Sequence, residues 1–303
     1  MNDQEGPSMT GIRGELLLNE PMSKHTSWRV GGVAERFFKP ADLNDLITFI
    51  SCIDADESLL WIGLGSNLLV RDGGIRGTVI LTSGLLKELS LLNSDVVRAE
   101  AGVACAKVAK FCARNELVGA EFLAGIPGTM GGALAMNAGA FGGETWELIH
   151  SVETLDRQGN RHTRSKDEFK IAYRHVEGPK DEWFIAAHIR LSAGNGAESQ
   201  QKIKEFLAKR GATQPTQLPS CGSVFKNPPG DHAARLIESV GLKGKRCGNA
   251  MVSDKHANFI VNTGNATAAE IESLILEVQQ AVELAHNIKL LPEVHIVGEK
   301  KHA

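Results

Sequence analysis

Glycine is concentrated in one part of this chain, and that concentration limits how the segment can fold. Of the 32 glycines in 303 residues, 15 lie between Gly63 and Gly143, and seven fall within the 19 residues from Gly125 to Gly143. Ordering so many glycines costs conformational entropy, and isolated turns do not need them. A backbone wrapped closely around a diphosphate does, because the phosphate oxygens accept many N–H hydrogen bonds. The segment therefore predicts an anion-binding loop.

A shorter glycine motif precedes this segment. It runs from Gly63 to Gly74, begins Gly-Leu-Gly-Ser-Asn, and follows the apolar residues Leu59–Ile62. Taken alone, such a motif is more often a tight hairpin than an anion site. Neither glycine motif matches a Walker A loop or a Rossmann fingerprint. Two separated glycine segments nevertheless suggest a diphosphate held between two lobes. A dinucleotide such as FAD fits, although composition alone does not name it.

The composition excludes several classes of protein. With 33 basic and 36 acidic residues the net charge is -3, which gives no electrostatic footprint for nucleic acid or an anionic membrane. The uncharged stretch Phe122–Gly143 is long enough to span a bilayer, but its seven glycines, Pro127 and Asn137 make it a poor and weakly apolar helix. Residues Met1–Leu18 lack the basic and apolar regions of a secretory signal.

The cysteines and histidines predict neither disulfides nor a metal site. Five cysteines at irregular spacing contain no CxxC pair, and the ten histidines form no known ligand pattern. Reduced thiols in a cytoplasmic protein fit best. Cys105 and Cys112 are seven residues apart on a predicted helix, which is core spacing. No feature of the sequence predicts an oligomeric state.

Three regions of the chain differ in their apolar periodicity and glycine content, and together they predict an α+β fold and not a doubly wound parallel sheet. Residues 19–85 are short apolar runs punctuated by glycine, residues 86–200 mix strands with the glycine-rich segment, and residues 201–303 contain clearer helices. Within the second region, Trp183–Leu191 is predicted to be a strand of period 2, in which the odd-numbered residues alternate with the even-numbered residues Phe184 to Arg190. In the third, a helix is predicted over Ile203–Arg210, ending before Gly211.

Several further elements are predicted from periodicity and capping. Helices are expected over Asp42–Ile53, from Ala104 to beyond Cys112, over Ala233–Val240, and from Thr267 to about His286. Ser165-Lys-Asp-Glu168 has the pattern of a capping box. Strands are expected at Phe37–Phe38, Leu59–Ile62, Leu68–Val70, Thr78–Leu81, Val96–Ala101, Val152–Leu155, Arg161–Thr163, Phe259–Val261 and Val294–Val297.

At the level of motifs, the chain resembles the UDP-N-acetylenolpyruvoylglucosamine reductases, flavoenzymes that make a bacterial peptidoglycan precursor. The motifs that carry the resemblance occur in family order from about residue 20 to 298. They are Thr26–Gly32, Gly63–Gly74, Gly125–Glu144, Tyr173-Arg174, Gly222-Ser-Val-Phe-Lys-Asn-Pro228, Ser253-Asp-Lys-His-Ala-Asn-Phe-Ile-Val-Asn262 and Pro292-Glu-Val294. The short spacing between Phe225 and Ser253 resembles the subtype that lacks an extra substrate-covering loop.

The resemblance implies a fold and two cofactors. An FAD-binding region of the vanillyl-alcohol-oxidase type would occupy residues 19–85 and 86–200, and a substrate-binding α+β domain residues 201–303. NADPH would be the reductant, and FAD would bind without a covalent link. By resemblance the FAD-binding residues are Gly63, Leu64, Gly65, Ser66, Asn67, Leu68, Leu69, Ala124, Pro127, Gly128, Thr129, Gly131, Gly132, Met136, Asn137, Gly139 and Ala140.

The resemblance also implies the catalytic residues. Arg174 would polarise the substrate carboxylate, Ser223 would donate a proton to C2 of the enolpyruvyl group, and Glu293 would assist; by residue type alone they would be a surface arginine, a turn serine and a strand-end glutamate. Tyr173, Lys226 and Asn227 would contact the UDP-sugar enolpyruvyl ether. Family members often have serine two residues after the arginine, where this chain has Val176.

Three other points stay open. The chain could be another FAD-dependent dehydrogenase of the same fold, against which Ser223-Val-Phe-Lys-Asn-Pro228 and Pro292-Glu293 argue. It could also be a binding module that kept the nucleotide pocket, against which the retention of Arg174, Ser223 and Glu293 argues. His256 is expected to be structural. Arg210 could contact a phosphate or the dipole at the end of its helix.

Overall fold

The computed structural model describes residues 11–301. The expectation that Met1–Leu18 is no secretory signal rests partly on residues 1–10, which lie outside the described residues. The helices are α1 (Leu43–Cys52), α2 (Cys105–Arg114), α3 (Met130–Met136), α4 (Gly196–Thr213), α5 (Ala233–Ser239) and α6 (Ala268–His286). Short 3-10 turns cover Met22–Lys24, Glu121–Gly125, Thr145–Glu147 and Lys166–Glu168.

The strands are short and numerous. They are β1 (Glu15–Pro21), β2 (Val33–Lys39), β3 (Leu59–Ile62), β4 (Leu68–Val70), β5 (Ile75–Leu81), β6 (Leu89–Leu91), β7 (Val96–Glu100), β8 (Leu117–Val118), β9 (Gly139–Ala140), β10 (Gly143–Glu144), β11 (Ile149–Asp156), β12 (Arg161–Ser165), β13 (Lys170–Ala172), β14 (His175–Glu177), β15 (Glu182–Arg190), β16 (Ser192–Ala193), β17 (Arg246–Cys247), β18 (Ala250–Val252), β19 (Ile260–Asn262) and β20 (His295–Val297).

These strands form three sheets of more than two strands. The first has the order β1-β2-β5-β3, the second β12-β11-β15-β7-β6, and the third β17-β18-β19. The second sheet is antiparallel throughout, whereas β3 pairs with β5 in parallel. Mixed pairing with helices gathered on the sheets is the α+β arrangement that the sequence predicts.

The described chain packs as two units. The first comprises residues 11–18, 36–63 and 77–206, and the second residues 19–35, 64–76 and 207–301. Unit 1 has two hydrophobic cores: one packs α2 and α3 on the five-stranded sheet, and the other packs α1 against β2 and β5. In unit 2, a third core joins α5 and α6 to β18, β19 and Trp28. The three-part division at residues 19–85, 86–200 and 201–303 stays a prediction.

Most predicted elements lie where the sequence places them. The Thr267 hydroxyl accepts a hydrogen bond from the Glu270 N–H in a capping box, and α6 ends at His286. Helix α5 ends before Gly241, which adopts φ +71° as a helix stop requires. The Asp42 carboxylate caps α1 at the Asp45 N–H, and a capping box at Ser165 opens the predicted short turn.

The prediction for the helix at Ile203–Arg210 is wrong at both ends, because α4 spans Gly196–Thr213. Its start is marked by Asn195, whose Oδ1 accepts hydrogen bonds from the Ala197 and Glu198 amides at 3.0 and 3.3 Å. Near its end, Gly211 meets no atom that would conflict with a helix. An exposed glycine costs a helix only about 1 kcal/mol, which the rest of α4 absorbs.

The simple alternation predicted for Trp183–Leu191 is wrong in its first half. A register shift lets Glu153 pair with Ala186 but Thr154 with Phe184, so that Ile185 bulges out of the ladder. A bulge inserts one residue and reverses the faces of those before it. Phe184 therefore packs with the core of Ala187 and Ile189, whereas Ile185 packs in the other core of unit 1.

None of the helices within residues 11–301 combines the length and apolar character needed to cross a membrane.

Candidate active site

The glycine-rich segment forms three consecutive local structures in unit 1. Gly125 closes a 3-10 turn, the chain then enters α3 after Thr129, and Asn137 ends that helix in the left-handed conformation with φ 43°. The hairpin of β9 and β10 follows. The predicted anion-binding loop is thus partly a short helix, and Gly131 and Gly132 lie inside it.

Most of these glycines are required for packing of the chain against itself. A Cβ atom at Gly131 would lie 2.9 Å from the Cβ of Ala101, and one at Gly143 would lie 2.6 Å from the Phe122 ring. At Gly139 it would lie 2.5 Å from the Gly143 carbonyl oxygen. At Gly132 the situation differs, because the nearest atom is the Thr129 hydroxyl at 3.9 Å. Open space in this segment is therefore found at Gly132, beside the Thr129 hydroxyl, and at Gly142, where a Cβ would meet no atom within 4 Å.

The Thr129 hydroxyl is the strongest sign of a bound group in this unit. Thr129 is 1% exposed, precedes the first turn of α3, and its Oγ1 has no hydrogen-bond partner. Buried hydroxyls without a partner are rare and costly. A Cβ at Gly63 would lie 2.3 Å from the same oxygen, so glycine there leaves room for it. An acceptor such as an FAD phosphate fits this hydroxyl donor, whereas the Met130 and Gly131 amides at the start of α3 already donate to the carbonyls of Val103 and Ala101.

The other predicted FAD-binding residues are distributed over both units. In unit 2, Gly65 adopts φ +59° with its backbone against His25, where a Cβ would lie 2.1 Å from the His25 carbonyl oxygen. Leu68 and Leu69 are buried in β4, and half-buried Ser66 and exposed Leu64 lie in the turn before that strand. In unit 1, Ala124 is buried, Pro127 is exposed, and the half-buried residues are Gly128, Met136, Gly139 and Ala140.

Arg174 lies at the tip of the hairpin of β13 and β14, in the left-handed conformation with φ 53°. Its Nη1 donates to the Asn137 carbonyl at 3.1 Å and its Nη2 to the Gly139 carbonyl at 3.0 Å. The guanidinium carbon also lies 4.9 Å from the centroid of the Tyr173 ring. Arg174 is therefore bonded directly to the glycine-rich segment.

Asn137 connects the same segment to its neighbours. Its Nδ2 donates to Glu144 Oε2 at 2.8 Å and to the Ala172 carbonyl at 3.2 Å, while its Oδ1 accepts from the Trp146 amide at 3.2 Å. Asn137 is 1% exposed, its amide donates to the Leu134 carbonyl at 3.3 Å and its carbonyl accepts from Arg174, so that the residue holds the segment together. Glu144 Oε1 lies 3.9 Å from Arg174 Nη1.

Val176 lies in the same hairpin as Arg174, two residues further along the chain. It lies on β14 opposite Ile171 on β13, and both residues pack against the core of α2, α3 and the five-stranded sheet. Neighbouring His175 and Glu177 are exposed. A valine at this position adds apolar contacts in place of the hydroxyl that serine would bring.

Ser223 and Glu293 are brought together in unit 2. Ser223 is half-buried between Gly222, at φ +71°, and the buried Val224. The Glu293 amide donates to the Val224 carbonyl at 2.7 Å, so that Glu293 lies beside the residue that follows Ser223. The Asn67 side chain donates to the Glu293 carbonyl at 3.0 Å. Glu293 lies two residues before β20 rather than in it.

Lys226 and Asn227 continue the Ser223 segment. The Lys226 amide donates to the Leu291 carbonyl at 2.9 Å. Asn227 Oδ1 accepts from the Ala233 amide at 3.0 Å, which ties the Pro228-Pro229-Gly230 loop to the start of α5. The amide oxygen of Asn227 thus has a structural partner, and its NH2 group is the part suited to a ligand.

Asn258 contacts the segment that follows Ser223 and is not among the site residues predicted from the sequence, although it lies in the motif Ser253–Asn262. Asn258 is 3% exposed and bonds to both the N–H and the carbonyl of Phe225. A polar amide between the apolar Ala257 and Phe259 is the signal that could have found it. Neighbouring His256 fits its expected structural role: its Nδ1 accepts from the Asn258 amide at 3.3 Å, and burial lowers its pKa.

Arg210, whose role the sequence leaves open, lies near the end of α4. Its Nε donates to Gln214 Oε1 at 3.2 Å, and burial lowers the pKa of its guanidinium. All five cysteines are free thiols. Across residues 11–301, no group of three or more histidine, cysteine, aspartate or glutamate side chains has the arrangement of a metal site.

Comparison with known proteins agrees with this geometry. Residues 34–165 match the family described as FAD binding domain, and residues 214–297 match UDP-N-acetylenolpyruvoylglucosamine reductase, C-terminal domain. The predicted α+β fold class, with an FAD-binding region followed by a C-terminal α+β domain, is confirmed.

Similar proteins match over nearly the whole chain. A UDP-N-acetylenolpyruvoylglucosamine reductase of Methylococcus capsulatus is 59% identical over 287 residues, which cover 95% of this chain and 94% of that protein. The reductase of Legionella pneumophila is 59% identical over 292 residues, covering 96% of this chain and 95% of that one. A crystal structure of the enzyme from Thermus caldophilus superposes with a TM-score of 0.80 at 32% identity, over 94% of this chain and 98% of that one. The chain therefore belongs to the family of UDP-N-acetylenolpyruvoylglucosamine reductases.

Proposed function

We propose that this chain reduces the enolpyruvyl ether of UDP-N-acetylglucosamine to UDP-N-acetylmuramate with NADPH, in the cytoplasm. Family membership makes it an oxidoreductase of peptidoglycan precursor synthesis, a process on which cell shape and division depend. The observation that carries the finer proposal is the hydrogen bond from the Glu293 amide to the Val224 carbonyl, because it places the backbone of Glu293 next to that of the residue that follows Ser223.

Cofactor binding is proposed to use Thr129 and the backbone around Gly132. When bound, FAD supplies the relay that takes a hydride from NADPH and passes it to C3 of the enolpyruvyl group. The orphaned Thr129 hydroxyl and the open space at Gly132 support this assignment. The first glycine motif is proposed to contribute through the backbone of Gly63 to Leu69.

Arg174 is proposed to bind the substrate carboxylate. Hydride addition at C3 moves negative charge into that carboxylate, and a fixed guanidinium stabilises the charge as it develops. The two carbonyl acceptors, Asn137 and Gly139, hold the guanidinium in one orientation. Such preorganisation is what an electrostatic catalyst needs, since the group does not have to reorient during the reaction. Tyr173 is proposed to contact the substrate beside it.

Ser223 is proposed to give its proton to C2. Hydride at C3 and a proton at C2 together saturate the double bond, and the serine oxygen regains a proton from solvent afterwards. A hydroxyl is a weak acid, so its neighbours must assist. Glu293, Lys226 and Asn227 are the polar groups of the same chain segments, and they are proposed to assist proton transfer and to hold the nucleotide sugar.

Anaerobic stopped-flow measurements test the proposal. With Ser223→Ala we expect flavin reduction by NADPH to stay within about twofold, and reoxidation by the enolpyruvyl substrate to slow at least a hundredfold, the range for loss of a general acid. Ser220→Ala is the matched control, since Ser220 is half-buried three residues away. Equal loss in both half-reactions of Ser223→Ala would contradict the proton-donor role.

The same stopped-flow measurements distinguish the proposed function from two alternatives. Another FAD-dependent dehydrogenase of this fold would show a flavin that the enolpyruvyl substrate does not reoxidise. A binding module would show a flavin that NADPH does not bleach. The proposed subtype without the extra loop is supported by the chain from Phe225 to Ser253, which forms α5 and the hairpin of β17 and β18.

A further inference from the structure

The backbone that follows Ser223 is held by one buried side chain. Asn258 is 3% exposed, and its Oδ1 accepts from the Phe225 amide at 3.0 Å while its Nδ2 donates to the Phe225 carbonyl at 2.8 Å. Its own carbonyl accepts from the Val224 amide at 2.9 Å. Three hydrogen bonds thus connect Asn258 to the two residues that follow Ser223.

The opposite side of the segment explains why a side chain is needed. The Glu293 amide donates to Val224, and Phe225 lies opposite Pro292 in an isolated bridge. The Lys226 amide donates to the Leu291 carbonyl, so Phe225 is at a non-hydrogen-bonded position of this antiparallel bridge, and its own N–H and carbonyl face away from Pro292. The Asn258 side chain bonds to both of these groups and acts in the place of a neighbouring strand on that side.

Ser223 depends on this support because Gly222, the residue before it, does little to restrict the backbone conformation. Gly222 has φ +71°, and a Cβ there would meet no atom within 4 Å. Glycine restricts the backbone little. The direction of the Ser223 hydroxyl is therefore set from the side of Val224 and Phe225, which Asn258 holds.

We infer that Asn258 is a positioning residue, which acts on the reaction by holding the Val224–Phe225 backbone and thereby aiming the Ser223 hydroxyl. The inference rests on the proposed role of Ser223 as proton donor. A donor displaced by about 1 Å can slow its step by two orders of magnitude, whereas flavin reduction by NADPH does not use Ser223.

Asn258→Asp is the sharpest test, since it keeps the size and the acceptor of Asn258 and removes the Nδ2 donor. We expect reduction by NADPH within about twofold of the parent, reoxidation by the enolpyruvyl substrate slowed roughly 100-fold, and a larger solvent deuterium isotope effect on that step. Asn258→Ser, which removes the donor without burying a carboxylate, is expected to act in the same direction.

Asn262→Asp is the matched control. Asn262 belongs to the same motif, is 6% exposed, and also bonds to backbone: its Nδ2 donates to the Trp28 carbonyl at 2.9 Å, and its Oδ1 accepts from Gly264 and Ala266. We expect its thermal midpoint to fall while both half-reactions stay within about twofold. Equal effects of Asn258→Asp and Asn262→Asp on the half-reactions would overturn the inference, as would loss of folding in both Asn258 variants.

A double variant separates this inference from the proposed function. In the background of Ser223→Ala, Asn258→Asp is expected to add little further slowing, because it acts through the missing hydroxyl. Additive slowing would overturn the positioning role. If Ser223→Ala alone leaves reoxidation unchanged, the proton-donor proposal itself fails; if Ser223→Ala slows it and Asn258→Asp does not, only the positioning role fails.

Discussion

Gly131 and Gly132 are neighbours in α3, and the structure gives them different tasks. Gly131 lets the helix approach Ala101, whereas Gly132 leaves space beside the Thr129 hydroxyl. The glycine content predicts only that the segment as a whole binds an anion, because composition cannot separate glycines that let the chain pack on itself from glycines that leave room for a cofactor. Only the neighbours of each Cα make that distinction.

Removal of the Thr129 hydroxyl is expected to preserve or raise the stability of the flavin-free protein and to lower the affinity for flavin. Thr129→Val replaces the orphaned oxygen by a methyl group of similar size. We expect the flavin-free protein to be equally or more stable, since a buried hydroxyl without a partner costs about 1–3 kcal/mol. Flavin affinity is expected to fall about tenfold, the loss of one hydrogen bond.

Thermal unfolding without flavin and titration with FAD check this prediction. Thr163→Val on β12 is a suitable control for the substitution itself, because that residue lies outside the proposed site. Flavin affinity unchanged by Thr129→Val would contradict the assignment of the hydroxyl to the cofactor.

Backbone strain is a second residue-scale finding. Asn137, Phe141 and Arg174 all have positive φ, at 43°, 54° and 53°. This conformation is ordinary for asparagine but costs of order 1 kcal/mol for phenylalanine and arginine. The strain falls on the β9–β10 turn and on the tip of the hairpin that carries Arg174. It is the kind of cost that a sequence of ordinary residue types does not reveal.

At the scale of elements, the five-stranded sheet has a polar face built from four strands. Glu153 on β11 accepts hydrogen bonds from Arg98 on β7 at 2.6 and 3.0 Å and from Arg161 on β12 at 2.8 Å, and pairs with His188 on β15 at 2.9 Å. Ser151 Oγ is 2.9 Å from His188 Nδ1. Burial alone would raise the pKa of the Glu153 carboxyl, but the bonds to His188, Arg98 and Arg161 lower it overall.

This lowered pKa predicts a dependence of stability on pH. Glu153→Gln is expected to cost about 3 kcal/mol at neutral pH, where the variant loses a buried charge partner. The advantage of the parent should shrink as the pH falls below about 4.3, because the unfolded carboxyl then takes up a proton that the folded one resists.

Thermal midpoints of the two proteins between pH 7 and pH 3 test the prediction. Glu177→Gln is the control, since Glu177 and its partner Lys170 have side chains 59% and 81% exposed. A gap between parent and Glu153→Gln that stays constant down to pH 3 would contradict the assigned role.

At the scale of the whole molecule, the cysteines report where the chain is buried. Cys105, Cys112 and Cys221 are buried, whereas Cys52 and Cys247 are half-buried. Burial raises the pKa of each of the three buried thiols to about 12. Thiolates are the reactive form, so these three should be inert in the folded protein.

Reaction with a coloured thiol reagent tests this distribution. We expect about two equivalents to react in the native protein and the remaining three only after denaturation. Cys52→Ser and Cys247→Ser should each remove one native equivalent. More than two native equivalents would show that a predicted core opens readily.

Sequence patterns alone determined most elements and the family. The capping box at Ser165, the start of α6 after Thr267 and the end of α5 near Val240 are local signals, and each depends on residues within a few positions. The sequence also identifies Arg174, Ser223 and Glu293 as candidate catalytic residues, because each lies in a short motif that resembles the family's.

Only the tertiary structure decided the features that depend on distant partners. The bulge at Ile185 follows from pairing with β11. The role of Gly131 follows from its contact with Ala101, and that of Thr129 from its position beside Gly63. The extension of α4 past Gly211 follows from the open space around that glycine. The role of Asn258 depends on Phe225, whose N–H and carbonyl it bonds although the two residues are 33 positions apart in the chain. Local patterns constrain dihedral angles and faces, whereas the burial and pairing of a polar atom depend on which distant residues the fold places beside it.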